Sequence, residues 1–152
     1  MKRIVIMNCI TISLIVILSY ISSPDNQTLA NHYLLIGFGS VIAFMTFLWI
    51  ISLLVKDASI VDIFWGPAFI VLGSSLLISM DQVYSERSLF LLFLVSLWAI
   101  RLASHIGFRN IGHGEDFRYV EWRNESGKSY WWHSFIRVFL LQGSLCTLVG
   151  VS

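Results

Sequence analysis

Charged residues are scarce in this chain. Lys, Arg, Asp and Glu together make up 12% of its 152 residues, whereas hydrophobic residues make up 57% and the mean hydropathy is +0.77. Soluble domains carry about a quarter charged residues, and the charge present here is too little to cover a globule of this size. The composition therefore excludes an ordinary soluble domain and indicates a membrane protein.

Cysteines and nucleotide-binding motifs are also few. Cys9 and Cys146 both lie in apolar stretches, where a thiol behaves as a small hydrophobe, so the sequence predicts neither a disulfide framework nor a metal site. It contains no Gly-rich phosphate loop and no dinucleotide fingerprint. Any nucleotide site would therefore not be of the Rossmann type, and nothing in the sequence indicates a nucleic-acid partner.

Long apolar stretches are what the chain does have. Five of them are long enough to cross a bilayer core of ~30 Å as helices, so we predict an all-α, polytopic transmembrane bundle that forms a single membrane domain over residues 1–152. The predicted spans are residues 4–22, 33–55, 60–79, 88–106 and 135–151, with a long loop at 107–133. The first stretch could instead be a signal peptide, but its length and the lack of an A-x-A site favour a retained anchor.

The basic residues predict which way the spans run. Nine of the ten Lys and Arg residues fall on one predicted side of the membrane, and only Arg87 falls on the other. Because short loops rich in Lys and Arg stay in the cytoplasm, we predict a cytoplasmic N-terminus and a cytoplasmic loop 107–133. The compactness of the chain favours a bacterial inner membrane.

The last apolar stretch ends at Val151 and Ser152. Natural spans are usually anchored on both sides by Trp, Tyr, Lys or Arg, and no such anchor follows here. We therefore expect these 152 residues to be part of a longer protein.

Two charges fall inside predicted spans. Asp62 and Arg101 would lie ~3 Å and ~8 Å from the cytoplasmic ends of their helices, in the same leaflet. Each has a simple explanation, since a helix start favours a carboxylate and a long arginine can reach the headgroups. The alternative is a shared polar pocket, because charges in a membrane usually face a bundle interior and pair. Arg109 lies close to the helix face that carries Arg101, at the mouth of such a pocket.

The stretch GHGEDFRYVEWR, residues 112–123, mixes acids and bases. We predict a short helix with Glu115 and Asp116 at its N-terminus. The predicted side-chain pairs are Glu115 with Arg118 or Tyr119, Tyr119 with Arg123, and Arg118 with Glu121 and Trp122. A basic loop with aromatic anchors would explain the arginines and tryptophans but not the acids. A site for a polar ligand explains both, because arginine binds phosphate and carboxylates orient arginine or accept from ribose hydroxyls.

Four motifs occur in an order that resembles one family. They are VDIFWGPAFIV at 61–71, LWAIRLASHIGFRN at 97–110, GEDFRY at 114–119 and FLLQG at 139–143. Together they resemble the DUF1295 group of membrane proteins, which is related to steroid 5-alpha-reductases. The resemblance covers about residues 58–150. The central motifs are specific, FLLQG is supporting, and the first two spans match only as apolar helices.

The resemblance implies a function and a set of site residues. It implies NADPH-dependent reduction of a carbon–carbon double bond conjugated to a carbonyl, in a steroid-like or other lipid substrate held in the membrane. In relatives a membrane carboxylate and a tyrosine polarise the carbonyl oxygen, and Asp62 would be the catalytic residue near that oxygen. The cofactor-binding residues carried over are Arg101, Arg109, Glu115, Asp116, Arg118 and Tyr119.

The family pattern continues beyond this chain. Its second half, including a segment resembling RHPNYFGE, helps to hold the cofactor, so we expect the activity of the longer parent and not of these residues alone. Two other functions stay open. One is a membrane methyltransferase of the isoprenylcysteine carboxyl type, which uses S-adenosylmethionine. The other is a small non-enzymatic membrane protein whose loop binds anionic lipid or a partner.

Overall fold

The structure is a computed structural model that describes residues 27–79, 85–110 and 112–151. Within these ranges the chain is helical and contains no strand, which confirms the all-α prediction. The helices are α1 Gln27–Val55, α2 Ile60–Ser79, α3 Glu86–Asn110, α4 Phe117–Ser126, α5 Tyr130–Ser134 and α6 Leu141–Val151. A short 3-10 turn, Gly127–Ser129, joins α4 to α5, and a π-helix, Phe135–Leu140, joins α5 to α6.

Four helical stretches are long and apolar enough to cross a membrane. They are His32–Val55, Ile60–Ser79, Glu86–Asn110 and Phe117–Val151. They correspond to the second to fifth predicted spans, whereas the first predicted span, 4–22, lies outside the described residues. The chain is thus an integral membrane protein with four candidate spans in its described part.

The element boundaries differ from the prediction at the polar ends. Helix α3 continues to Asn110, beyond the predicted end at residue 106, and most of the predicted loop 107–133 is helical. Hydropathy identifies only the part of a helix that lies in lipid. Backbone hydrogen bonds can continue beyond that part, so the helix extends into the polar residues that follow. Polar residues at the end of α3 therefore belong to the helix and not to a loop.

Helix α2 lies at the centre of the bundle and packs against α1, α3 and α6. Its contact with α3 is close, because a Cβ on Gly66 would lie 3.1 Å from the Ala99 carbonyl oxygen and 3.2 Å from the Ala99 Cα. Small residues permit such approach between membrane helices. Pro67 follows directly inside α2. The close contact fixes the face of α2 that presents Asp62, one turn away.

The core is apolar along the bundle and aromatic at one end. Its fully buried members include Val41, Met45, Leu48, Val61, Ala68, Leu72, Val138, Phe139 and Cys146. Tyr119 and Tyr130 extend the core to the end that carries the turn 56–59 and residues 112–116. We call this end of the bundle the polar end. Many apolar side chains of α3 point outward, as expected for a surface in contact with lipid.

Candidate functional site

The turn between α1 and α2 positions Asp62. Lys56 adopts a left-handed backbone conformation with φ 57°, and the Asp57 carboxylate accepts from the Ser59 backbone N–H at 2.8 Å and from its hydroxyl at 2.5 Å. These bonds end the turn, so that α2 begins at Ile60 and Asp62 falls in its first turn. An aspartate there is favoured by the helix dipole.

The start of α4 positions Arg118 and Tyr119. Gly112 and Gly114 have φ of 79° and 70°, a conformation that glycine adopts without steric cost. Asp116 follows as the N-cap of α4, and its carboxylate accepts from the Arg118 backbone N–H at 3.0 Å. Arg118 and Tyr119 therefore occupy the first turn of α4, next to α2.

Four side chains from α2 and the start of α4 meet at the polar end, and we call them the Asp62 cluster: Asp62, Asp116, Arg118 and Tyr119. The Tyr119 hydroxyl donates to Asp62 Oδ1 at 3.0 Å, and Arg118 donates to Asp62 Oδ2 at 3.2 Å. Arg118 also binds both Asp116 oxygens, each at 3.0 Å. These hydrogen bonds hold the pKa of the Asp116 carboxyl below its ordinary value of 3.8.

The two ends of the Asp62 cluster differ in exposure. Tyr119 is 4% exposed, whereas the Arg118 side chain is 52% exposed. A carboxylate and a phenol thus lie where the apolar bundle ends, with a guanidinium on their water side. Such a set can donate to, or accept from, one oxygen atom of a ligand whose remainder is apolar.

A second group ties the polar end together, and we call it the Glu115 cluster. Glu115 accepts from the Ala58 backbone N–H at 2.8 Å and from Arg123 at 2.8 and 3.0 Å. Arg123 also donates to the Lys56 carbonyl at 3.1 Å, and its guanidinium lies 4.2 Å from the centre of the Tyr130 ring. With the Glu115 side chain only 9% exposed, this cluster anchors α4 and α5 to the α1–α2 turn.

The pairs predicted from helical spacing are wrong. Glu115 pairs with Arg123, eight residues on, and Arg118 with Asp116 and Asp62. The Tyr119 hydroxyl binds Asp62 and not Arg123. Because Asp116 is the N-cap, Glu115 lies outside the helix. The rule that residues three or four apart share a helix face therefore does not apply to Glu115 and Arg118. Sequence reasoning also missed Arg123 as a partner of Glu115, since its contacts cross from α4 to another turn.

The structure does not bring Arg101 into the Asp62 cluster. Arg101 is exposed, and within the described residues it forms neither a hydrogen bond nor an ion pair, so the pocket shared by Asp62 and Arg101 is not formed. Arg109 is also exposed and makes one weak contact, from its Nε to Asn110 Oδ1 at 3.5 Å. Arg109 and Asp116 line the same cleft, which places Arg109 beside the cluster.

A cleft of about 940 Å³ opens beside the Asp62 cluster, between the end of α3 and α4. Arg109, Asn110 and His113 line it together with four carboxylates. Those carboxylates belong to Glu115, Asp116, Glu121 and Glu125. The cleft thus combines several acceptors, which suit hydroxyl groups, with a single arginine that can make one contact to a phosphate.

A comparison with protein families identifies the chain. The model of the family described as "Protein of unknown function (DUF1295)" matches residues 48–152. The chain belongs to the DUF1295 family. This confirms the family predicted from the four motifs, and the matched part of this DUF1295 protein contains both the Asp62 cluster and the Glu115 cluster. No curated protein and no solved structure matches the chain.

Proposed function

We propose that this DUF1295 protein forms part or all of an NADPH-dependent membrane reductase. Its reaction would be reduction of a carbon–carbon double bond conjugated to a carbonyl in a steroid-like or other lipid substrate. The observation that carries the proposal is the 3.0 Å hydrogen bond from the Tyr119 hydroxyl to Asp62, braced by Arg118. It joins a carboxylate and a phenol that lie 57 residues apart in the chain, at the boundary between apolar bundle and polar end.

The Asp62 cluster would act on the carbonyl oxygen of the substrate. A protonated Asp62 would donate to the Tyr119 hydroxyl oxygen, so that the single Tyr119 proton becomes free to be donated to this carbonyl oxygen. Donors directed at an oxygen that gains negative charge lower the energy of the transition state. Arg118, bound to the other oxygen of Asp62 and to Asp116, would keep the carboxyl group oriented.

When bound, NADPH would supply the hydride for the β-carbon, and water would supply the proton for the α-carbon. The cleft offers such a cofactor one guanidinium for phosphate and carboxylate acceptors for hydroxyls. Arg109 of the cleft would bind phosphate, assisted by the exposed Arg118 and Arg101 outside its lining, and Asp116, whose side chain is 27% exposed, would accept from ribose hydroxyls. The Glu115 side chain is only 9% exposed and is held by Arg123 and Ala58, so Glu115 would act by fixing the loop.

Apolar surroundings beyond Asp62 support a lipid substrate. One and two turns further along α2, Trp65 and Phe69 pack with Trp98 of α3, with ring centres 5.2–6.4 Å apart. A groove of about 310 Å³, lined by Phe69 and by aliphatic residues of α2 and α3, lies further along α2. A lipid with its carbonyl at Asp62 would thus lie against apolar surface along the bundle.

The proposal is tested with Tyr119→Phe in the protein expressed from its complete reading frame. The assay follows NADPH oxidation with a 4-en-3-one steroid as the probe substrate. We expect Tyr119→Phe to lower kcat/KM by about 100-fold, as for loss of a catalytic donor, with unchanged NADPH binding. Tyr130→Phe is the matched control, because it removes a buried phenol hydroxyl that makes no hydrogen bond to the Asp62 cluster.

Cofactor protection separates the reductase from a methyltransferase. A bound ligand raises the melting temperature of the native state, so NADPH should protect the protein from heating and S-adenosylmethionine should not. Protection by S-adenosylmethionine alone, or equal activity of Tyr119→Phe and Tyr130→Phe, would contradict the proposal.

A further inference from the structure

Two basic side chains lie outside both clusters, near the start of the last membrane stretch. His133 belongs to α5 and Arg137 to the π-helix that follows. His133 Nδ1 and Arg137 Nε are both buried, and neither has a hydrogen-bond partner in the part of the chain that the structure describes. Neither side chain forms an ion pair with a described residue. They are thus two polar groups that the protein itself leaves unsatisfied.

The two side chains lie on the same side of the helix. They are four residues apart across the junction of α5 and the π-helix, and residues at that spacing share a face. A π-helical segment within an α-helix is often found at functional sites. Tyr130, one turn before, contacts Arg123 of the Glu115 cluster, so His133 and Arg137 lie just inside the polar end. The half-exposed Trp131 and Trp132 stand beside them, as aromatic residues do at a membrane interface.

The chemistry of this pair indicates an anion. Arginine stays protonated in proteins, and an unpaired charge within a membrane stretch is unfavourable and normally finds a partner. A guanidinium matches phosphate in a bidentate fork, and basic pockets between membrane helices bind anionic headgroups.

We propose that His133 and Arg137 bind a phosphate group at the polar end. The phosphate can come from an anionic lipid headgroup or from a soluble phosphate. The proposal stands apart from the reductase, because it uses neither the Asp62 cluster nor the cleft.

The test uses the protein in maltoside micelles, which carry no phosphate. The melting temperature is followed while phosphatidylglycerol is added, with diacylglycerol as the lipid without phosphate, and in a separate arm while inorganic pyrophosphate is added. We expect wild type to be stabilised by a phosphate ligand and not by diacylglycerol. Arg137→Leu should weaken the apparent affinity by about tenfold or more, the loss of a charge-assisted bidentate contact.

Lys128→Leu is the matched control, since it removes one positive charge from an exposed position at the same end. Its affinity should stay close to that of wild type, and Arg137→Lys should lie between the two. Protection by phosphatidylglycerol alone assigns the site to a headgroup, and protection by pyrophosphate that competes with the lipid assigns it to a soluble phosphate. The proposal is overturned if neither ligand stabilises wild type, or if Lys128→Leu and Arg137→Leu weaken binding equally. The wild-type arms and Arg137→Lys keep the test decisive if Arg137→Leu does not fold.

Discussion

Asp116 has two roles in the Asp62 cluster. Its carboxylate caps α4 through the Arg118 backbone N–H, and it binds the Arg118 side chain that reaches Asp62. One residue therefore sets both where α4 begins and where the guanidinium points. Since both roles use the ionised carboxylate, they depend on pH.

The lowered pKa of Asp116 predicts a loss of stability in acid. A carboxyl whose pKa is lowered by folding stabilises the native state above its ordinary value of 3.8, and that contribution disappears as pH falls below it. We expect the melting temperature of wild type to fall more steeply than that of Asp116→Asn between about pH 5 and about pH 2. Asparagine keeps a capping oxygen but does not titrate, so equal slopes for the two proteins would refute the prediction.

At the residue scale the sequence showed which residues are polar, but not their partners. Asp62 and Tyr119 were both candidates, yet their hydrogen bond depends on how α4 packs against α2. Spacing rules apply only within one helix, and nothing in the local sequence marks a contact 57 residues away. Arg101 illustrates the opposite error, because equal depth in the membrane does not fix the direction of a side chain on its helix.

At the scale of helices, the spans were easier to predict than their ends. The length of a continuous apolar run shows whether it can cross a bilayer as a helix. This comparison located α1, α2, α3 and the last stretch. The short helix predicted after Glu115 and Asp116 is confirmed by α4, whereas the helical continuation through residues 127–134 was missed, because it falls within the predicted loop. The close approach of α2 and α3 at Gly66 was not predicted.

Gly66 gives a prediction about the packing of α2 on α3. An added methyl group would meet the Ala99 backbone at 3.1–3.2 Å, and backbone cannot move aside as a flexible side chain can. We expect Gly66→Ala to lower the free energy of unfolding by about 1–2 kcal/mol, the cost of overpacking less the gain in helix propensity. Gly39→Ala is the control, because its Cβ meets nothing within 4 Å. Equal effects in a denaturant titration would contradict the close contact.

The Glu115 cluster gives a second prediction at this scale. Removing the carboxylate leaves the Ala58 N–H and the Arg123 guanidinium without their acceptor. We expect Glu115→Ala to cost about 2 kcal/mol, less than for a fully buried pair because Arg123 is partly exposed. Glu125→Ala removes an exposed carboxylate from the same cleft and should cost little. Chemical denaturation of both variants measures the difference, and an equal loss would show that the cluster does not anchor the turn.

At the scale of the whole molecule, the contacts fix which segments share a side of the membrane. Glu115 binds Ala58, and Arg123 binds Lys56, so the α1–α2 turn and the start of α4 lie together at the polar end. Ser85 lies before α3, at the opposite end of the bundle. Which end faces the cytoplasm stays a prediction from the basic residues.

Cysteine labelling tests this orientation. Lys56→Cys, Lys128→Cys and Ser85→Cys each add one thiol at an exposed position of one end to the two native cysteines. The excess of Lys and Arg at the polar end predicts that the thiols at 56 and 128 react with a membrane-impermeant maleimide only in inverted vesicles, and the thiol at 85 only in right-side-out vesicles. Wild type, which carries Cys9 and the buried Cys146, gives the background. Reversed labelling of all three would overturn the predicted orientation, whereas labelling of residues 56 and 128 from different sides would contradict the fold itself.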